Sequence, residues 1–95
     1  MKNRKTFIID TSVLLYDKYS IHSFPQSDII IPLDVLDELD RFKDRPGLLG
    51  ESARYVNRYL DDLRSEGSLH KGIEIEDGQN IKVDVSNDFL IPSAL

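Results

Sequence analysis

The sequence predicts a mixed α/β fold with a short parallel sheet and a terminal hairpin, and three observations carry that prediction. Two brief apolar runs, Phe7-Ile8-Ile9 and Ile29-Ile30-Ile31, are separated by a segment that contains a helix start. Two helical periodicities follow, over residues 33–43 and 48–64. The chain then alternates Ile73 and Ile75 with Ile81, Val83 and Val85 around Glu76-Asp77-Gly78. Strands separated by helical segments are joined most simply in a parallel sheet, because a parallel crossover is long enough to hold a helix.

Each element has a local reason. Lys5 to Asp10 reads as a strand whose continuous apolar run suits burial on both faces, ending in a carboxylate. Thr11-Ser12 offers an N-cap, and Val13-Leu14-Leu15-Tyr16 begins a helical turn. Residues 19–24 connect, with room for one helical turn, and Pro25-Gln26-Ser27 is a loop. Asp28 to Pro32 is the second strand, stopped by a proline that cannot continue the ladder and that suits a helix entry.

Leu33 to Lys43 is the next helix. Leu33, Leu36, Leu39 and Phe42 recur every three residues and Val35 widens the stripe, while Asp34, Asp37, Glu38 and Asp40 fill the other faces. A longer helix runs from about Leu48 to Arg64, with Leu49, Ala53, Val56, Leu60 and Leu63 on one face and Gly67 as its expected C-cap. In the hairpin, directly opposed residues must point to the same face. A three-residue loop, Glu76-Asp77-Gly78, satisfies that by pairing Ile75 with Gln79 and Ile73 with Ile81, and it puts Gly78 where a left-handed residue is needed. Two parallel strands do not make a stable sheet, so the architecture reads as incomplete.

Bulk properties narrow the function classes. The 95 residues are enough for one small domain, 40% hydrophobic and 31% charged, which is a foldable balance. With no cysteine there is neither a disulfide nor a thiolate metal site. No apolar stretch is long enough for a membrane span, and no secretory signal precedes Asp10, so the expectation is a cytoplasmic protein with no membrane partner. The net charge of −5 argues against binding nucleic acid by bulk electrostatics. It is compatible with an enzyme whose carboxylates hold metal ions, since the metal reverses the local sign.

The chemistry rests on two carboxylates. Asp10 ends a strand at the edge where open α/β sheets place ligands. Taken alone it is as readily an N-cap for the following helix. Glu38 lies one and a half turns into the helix after the second strand and borders the apolar stripe at Leu39, so it can lean over the same edge. Asp34, Asp37 and Asp40 compete for that role, and a solvated acidic face is the plainer account of all four. His22 and His70 read as isolated surface residues. Lys2, Arg4, Lys5 and Arg41, Lys43, Arg45 form two small basic groups that read as solvated surface, the second near enough in sequence to guide a phosphate backbone toward Glu38.

Residues 7–15, Phe-Ile-Ile-Asp-Thr-Ser-Val-Leu-Leu, followed by residues 29–40, Ile-Ile-Ile-Pro-Leu-Asp-Val-Leu-Asp-Glu-Leu-Asp, resemble the PIN domain family. The match is similar to the PIN domain that occurs alone or fused to an ATPase in PhoH-like, phosphate-starvation-type proteins. It extends through Gly50-Glu51-Ser52-Ala53-Arg54 and the hairpin. The resemblance implies a Rossmann-like, three-layer α/β nuclease that cuts single-stranded RNA with Mg²⁺ or Mn²⁺ held by several acidic residues. On it, the first family aspartate falls on Asp10 and the helix-borne glutamate on Glu38, both as metal ligands and catalytic groups. The small hydroxyl residue that contacts substrate falls on Thr11 or Ser12. The family's remaining aspartates lie beyond this chain; Asp84, expected to face solvent, and Asp88, in a loop, are not carried over. The expectation is therefore an N-terminal portion of a PIN-like domain that by itself has little or no nuclease activity. The alternatives are a non-catalytic interaction or scaffold module, which for PIN domains often means a homo-oligomer, and the N-terminal domain of a PhoH-like ATPase.

Overall fold

The computed structural model describes residues 4–84; Lys2, Val85, Asp88 and the apolar segment from Phe89 onward lie outside them. In order, the chain forms β1 (Lys5–Ile8), α1 (Thr11–Tyr16), a 3₁₀ turn (Lys18–His22), β2 (Ser27–Pro32), α2 (Leu33–Phe42), α3 (Gly47–Arg64), β3 (Ile73–Glu74), a second 3₁₀ turn (Glu76–Gly78) and β4 (Asn80–Asp84). The strands make one sheet in the order β1-β2-β4-β3, with β1, β2 and β4 parallel and β3 antiparallel to β4.

The hairpin is thus no appendage. Its second arm pairs with β2, Ile29 against Ile81 and Ile31 against Val83, and turns two parallel strands into four. The register derived from parity holds: Ile73 pairs with Ile81, and the Ile75 amide donates to the Gln79 carbonyl at 2.8 Å. Gly78 has φ +71° and Asp77 φ +57°, so the three-residue loop needs two left-handed positions where the sequence signalled one. Across the turn, the Gln26 amide donates to the Asp77 carbonyl at 2.8 Å, and Arg4 joins Asp28 at 2.8 Å to the Gly78 carbonyl at 3.0 Å. Of the first basic group, Arg4 and Lys5 stand at the sheet's amino edge.

Side-chain parity places the core. Ile9, Ile29, Ile31, Ile81 and Val83 point to one face and are buried. On the other face Thr6, Ile8 and Lys82 are exposed and Ile30 is half-buried. All three helices pack against one another, so they form one layer over the buried face. Residues 4–84 therefore hold two layers, helices on sheet. The expectation that the first strand is buried on both faces is corrected: β1 is the sheet's edge, and Ile8 is 50% exposed.

The helices start and stop for local reasons. α1 begins at Thr11, two residues before the expected turn, because Asp10 and not Thr11-Ser12 is its cap: the Asp10 side chain accepts the Ser12 amide. α2 follows β2 with Pro32 as the joint, and its buried positions are Val35 and Leu39, one turn apart, with Leu36 and Phe42 half-buried beside them. α3 buries Ser52, Ala53, Val56, Leu60 and Leu63. It ends at Ser65, which has right-handed backbone, so Gly67 lies past the end and is no left-handed cap.

Gln79 was not foreseen as a core residue. It is fully buried, accepts the Phe24 amide at 2.9 Å and donates to the Ile21 carbonyl at 3.0 Å. It satisfies the backbone of the irregular segment between α1 and β2, where no ladder can.

Candidate functional site

Parallel pairing brings the carboxyl ends of β1, β2 and β4 to one edge. Asp10 follows β1, Pro32 ends β2, and Asp84, half-buried, is paired with Pro32 at the end of β4. α1 and α2 both start at this edge. A cleft of about 350 Å³ opens between them, lined by Asp10, Thr11, Ser12 and Glu38, with Leu15, Tyr16, Phe42 and Leu49 as apolar walls. All four residues singled out from the sequence line this one cleft.

Two hydrogen-bond systems set the carboxylates. Asp10 Oδ1 accepts the Ser12 amide at 2.8 Å and the Ser12 hydroxyl at 3.2 Å, which fixes the carboxylate plane at the helix start. Glu38 Oε1 accepts the hydroxyl of Thr11, which is buried, in a short hydrogen bond. Both readings of Asp10 therefore hold in one geometry: it caps α1 through Oδ1, and its second oxygen is engaged solely by the Ser12 hydroxyl at 3.3 Å.

Of the acids on α2, Glu38 alone reaches the cleft, and Phe42, one turn on, shares its face. Asp34, Asp37 and Asp40 are exposed, and Asp40 pairs with Lys43 at 2.8 Å. Arg41, Lys43 and Arg45 do not line the cleft. Arg45 approaches it only through the Phe42 ring, over which its guanidinium sits at 5.0 Å. Among the described residues neither Asp10 nor Glu38 is paired with a cation.

That arrangement fits a divalent cation. Two carboxylates facing one cleft without a counter-charge concentrate negative potential, and a phosphodiester approaches such a site only if a cation lies between. Hard ions take oxygen donors, and Mg²⁺ uses few carboxylates while keeping several waters. Among the described residues no group of three or more histidine, aspartate or glutamate side chains gathers, so the pair would leave most of the coordination to water.

His22 was expected to be isolated and is not. Its Nδ1 meets the Glu76 carboxylate and its Nε2 lies 3.0 Å from the Tyr55 hydroxyl, while Tyr59 donates to Glu76 at 3.5 Å. The cluster ties the first 3₁₀ turn, α3 and the hairpin turn together, away from the acidic cleft. Sequence spacing could not show it, because its members are 33 and 54 positions from His22. His70 is exposed, as expected.

An α-on-β layer with a carboxylate after its first strand and another on the helix after its second defines a protein of the PIN domain class. The PIN domain family profile matches residues 7–94, and the chain belongs to that family. PIN domains have a nuclease-type fold and generally use divalent metal ions. Among curated proteins, Protein PhoH2 of Bacillus subtilis (strain 168) is 34% identical over 83 residues, 87% of this chain and 19% of that protein. Protein PhoH2 of Thermobispora bispora is 36% identical over 93 residues, 96% of this chain and 21% of its own length. Protein PhoH2 of Mycolicibacterium smegmatis is 36% identical over 72 residues, 75% of this chain and 16% of its own. The chain thus spans about a fifth of the length of these relatives. No solved structure gives a significant match. No described helix is long and apolar enough to cross a membrane.

Proposed function

We propose that this chain carries part of the active site of a divalent-metal-dependent endoribonuclease that hydrolyses single-stranded RNA. The observation that supports this most is the meeting of Asp10 and Glu38 in one cleft at the carboxyl edge of the sheet, each oriented by a hydroxyl-bearing residue of the first turn of α1. Mg²⁺ or Mn²⁺ bound there supplies acidification of a coordinated water and charge neutralisation at the phosphate. The chain's own groups do the rest. Asp10 and Glu38 hold the cation, Thr11 holds Glu38 in position, and the exposed Ser12 hydroxyl, which donates to Asp10 in this structure, would turn its proton to a phosphate oxygen when substrate is bound. Leu15, Phe42 and Leu49 form the apolar wall beside them.

The test is Mn²⁺ titration by calorimetry on the chain, with cleavage of single-stranded RNA measured on the full-length protein. Asp10→Asn and Glu38→Gln are expected to abolish both signals. Cleavage by Asp10→Asn at the parent rate overturns the assignment.

A second reading, a non-catalytic interaction module, is favoured by one observation: only two carboxylates of the described residues reach the cleft. Mn²⁺ binding that is absent, or indifferent to both substitutions, supports that reading.

A further inference from the structure

A tyrosine stands at the lip of the acidic cleft with nothing to do there. Tyr16, the last residue of α1, is 81% exposed, the most open of the large apolar and aromatic side chains described. Among the described residues its hydroxyl has no hydrogen bond and its ring no aromatic or cationic partner, whereas Tyr19, Tyr55 and Tyr59 all have them. Tyr16 follows Ser12 by four positions, so the two stand one above the other on the same helix face, with Cβ atoms about 6 Å apart. A ring at that distance from Ser12 and Asp10 lies one helical turn, about 5.4 Å, along α1 from the carboxylates.

Tyr16 also joins two cavities. Beyond it lies a second trough of about 500 Å³, lined by Leu15, Tyr19, Leu48 and Leu49 among others, which shares Leu15, Tyr16 and Leu49 with the acidic cleft. Leu48, 77% exposed, stands on its far wall. The two adjoin at Tyr16: the acidic pair stands on one side, and on the other lie mostly apolar walls that also carry Asp17 and the Lys18–Glu51 ion pair, with a free aromatic face at the junction.

Resting on the reading of the acidic pair given above, we propose that Tyr16 is a base-stacking platform for the nucleotide next to the scissile phosphate. The charge pattern favours this occupant. A strand whose phosphate sits at the Asp10–Glu38 end has Tyr16 beside it for its neighbouring base, where the ring offers a π-face next to the apolar side chains of Leu15 and Leu49, and Lys18 beyond offers a cation for the next phosphate. Every base has a face that stacks on tyrosine, so the contact selects unpaired nucleotides without selecting sequence. A base held inside a duplex has no free face to offer, and the preference for single strands follows.

The experiment measures binding of a fluorescein-labelled single-stranded oligouridine to the chain by anisotropy, with Ca²⁺ in place of Mn²⁺ to hold back cleavage. Mn²⁺ affinity is measured beside it by calorimetry. Tyr16→Ala is expected to weaken oligouridine binding about tenfold, with Mn²⁺ affinity unchanged; Tyr16→Phe keeps the binding. The chain contains no tryptophan, so Tyr16→Trp adds a reporter whose emission is expected to be quenched when the oligonucleotide stacks on it. Parent-level binding by Tyr16→Ala, or unquenched Tyr16→Trp emission at saturation, overturns the proposal while Mn²⁺ binding leaves the acidic pair standing. Loss of Mn²⁺ binding by the parent chain overturns both. A shift from dimer to monomer in Tyr16→Ala assigns the ring to a self-interface instead and overturns it as well.

Discussion

The hydroxyl of Thr11 donates to the carboxylate of Glu38 across 27 positions of sequence. One residue opens the first turn of α1 and the other lies in the middle of α2. Their bond joins the two helices at the carboxyl edge of the sheet, in the cleft that Glu38 and Asp10 both line. On the proposed function, the buried hydroxyl would be the outer partner that fixes a carboxylate able to take a metal ion.

Thr11→Val tests that role. The side-chain shape and burial are largely kept, and the hydroxyl is lost. The expected outcome is a folded protein whose Mn²⁺ affinity falls about tenfold, the usual scale for losing an outer-shell partner. Calorimetry on parent and variant checks it, with circular dichroism to confirm the fold.

Asp10 has two tasks that substitution can separate. Asparagine caps a helix about as well as aspartate, while alanine costs about 1 kcal/mol. Asp10→Asn is therefore expected to keep the parent's stability within about 0.5 kcal/mol and to lose Mn²⁺ binding. Asp10→Ala loses both. Urea denaturation beside metal titration distinguishes the two variants.

Gln79→Leu strands two backbone groups. The buried Ile21 carbonyl and the part-buried Phe24 amide both lose their partner. The expected destabilisation is about 3 kcal/mol, read from the urea midpoint with unchanged slope.

Gly50 allows the α2–α3 connection to close. A Cβ there would lie 1.7 Å from the Arg45 carbonyl oxygen and 2.7 Å from its carbon, both backbone atoms. Arg54 bonds the same stretch through the Lys43 carbonyl at 2.6 Å. Gly50→Ala forces the loop outward, and a loss of about 3 kcal/mol is expected in the same denaturation assay.

Extremes of pH act on the hairpin latch. Burial opposes ionisation of Glu76, but its own backbone amide and His22 outweigh it, so the carboxyl titrates below the ordinary 4.5. A group with a depressed folded-state pKa contributes stability above the unfolded value and loses it as pH falls through the folded one. The melting temperature is expected to drop below about pH 4.5, and Glu76→Gln to flatten that drop. Tyr59 is the mirror case: burial and the Glu76 charge push its phenol up to about 12 from 10.0. Stability then falls as pH rises between those values, and Tyr59→Phe removes that arm. Thermal melts across the pH range measure both.

Much of this was legible in the residues. Helical periodicity marked α2 and α3 to within a residue or so because each buries one face, and a buried face must repeat at the helical period. Parity alone gave the hairpin register, Ile73 on Ile81, since a slip by one residue reverses every side chain. Asp10, Thr11, Ser12 and Glu38 came from motif resemblance, and the fold gathers all four in one cleft.

What only the tertiary structure decided is which strand neighbours which and what that brings together. Sequence patterning reports the environment of a side chain, whether buried or exposed, and not the identity of its neighbour. The sequence pointed residues 80–84 to a terminal hairpin and carried no sign of a second neighbour, and pairing with β2 is what makes a four-stranded sheet of them. The apolar run of β1 looked fully buried, yet the order β1-β2-β4-β3 leaves it at an edge. Gln79, the His22 cluster and the exposed Tyr16 carry no periodic signal, because polar bonds and groove positions are made by single contacts between distant segments. The sequence by itself determined the elements and the two carboxylates; the sheet order decided that they share a cleft.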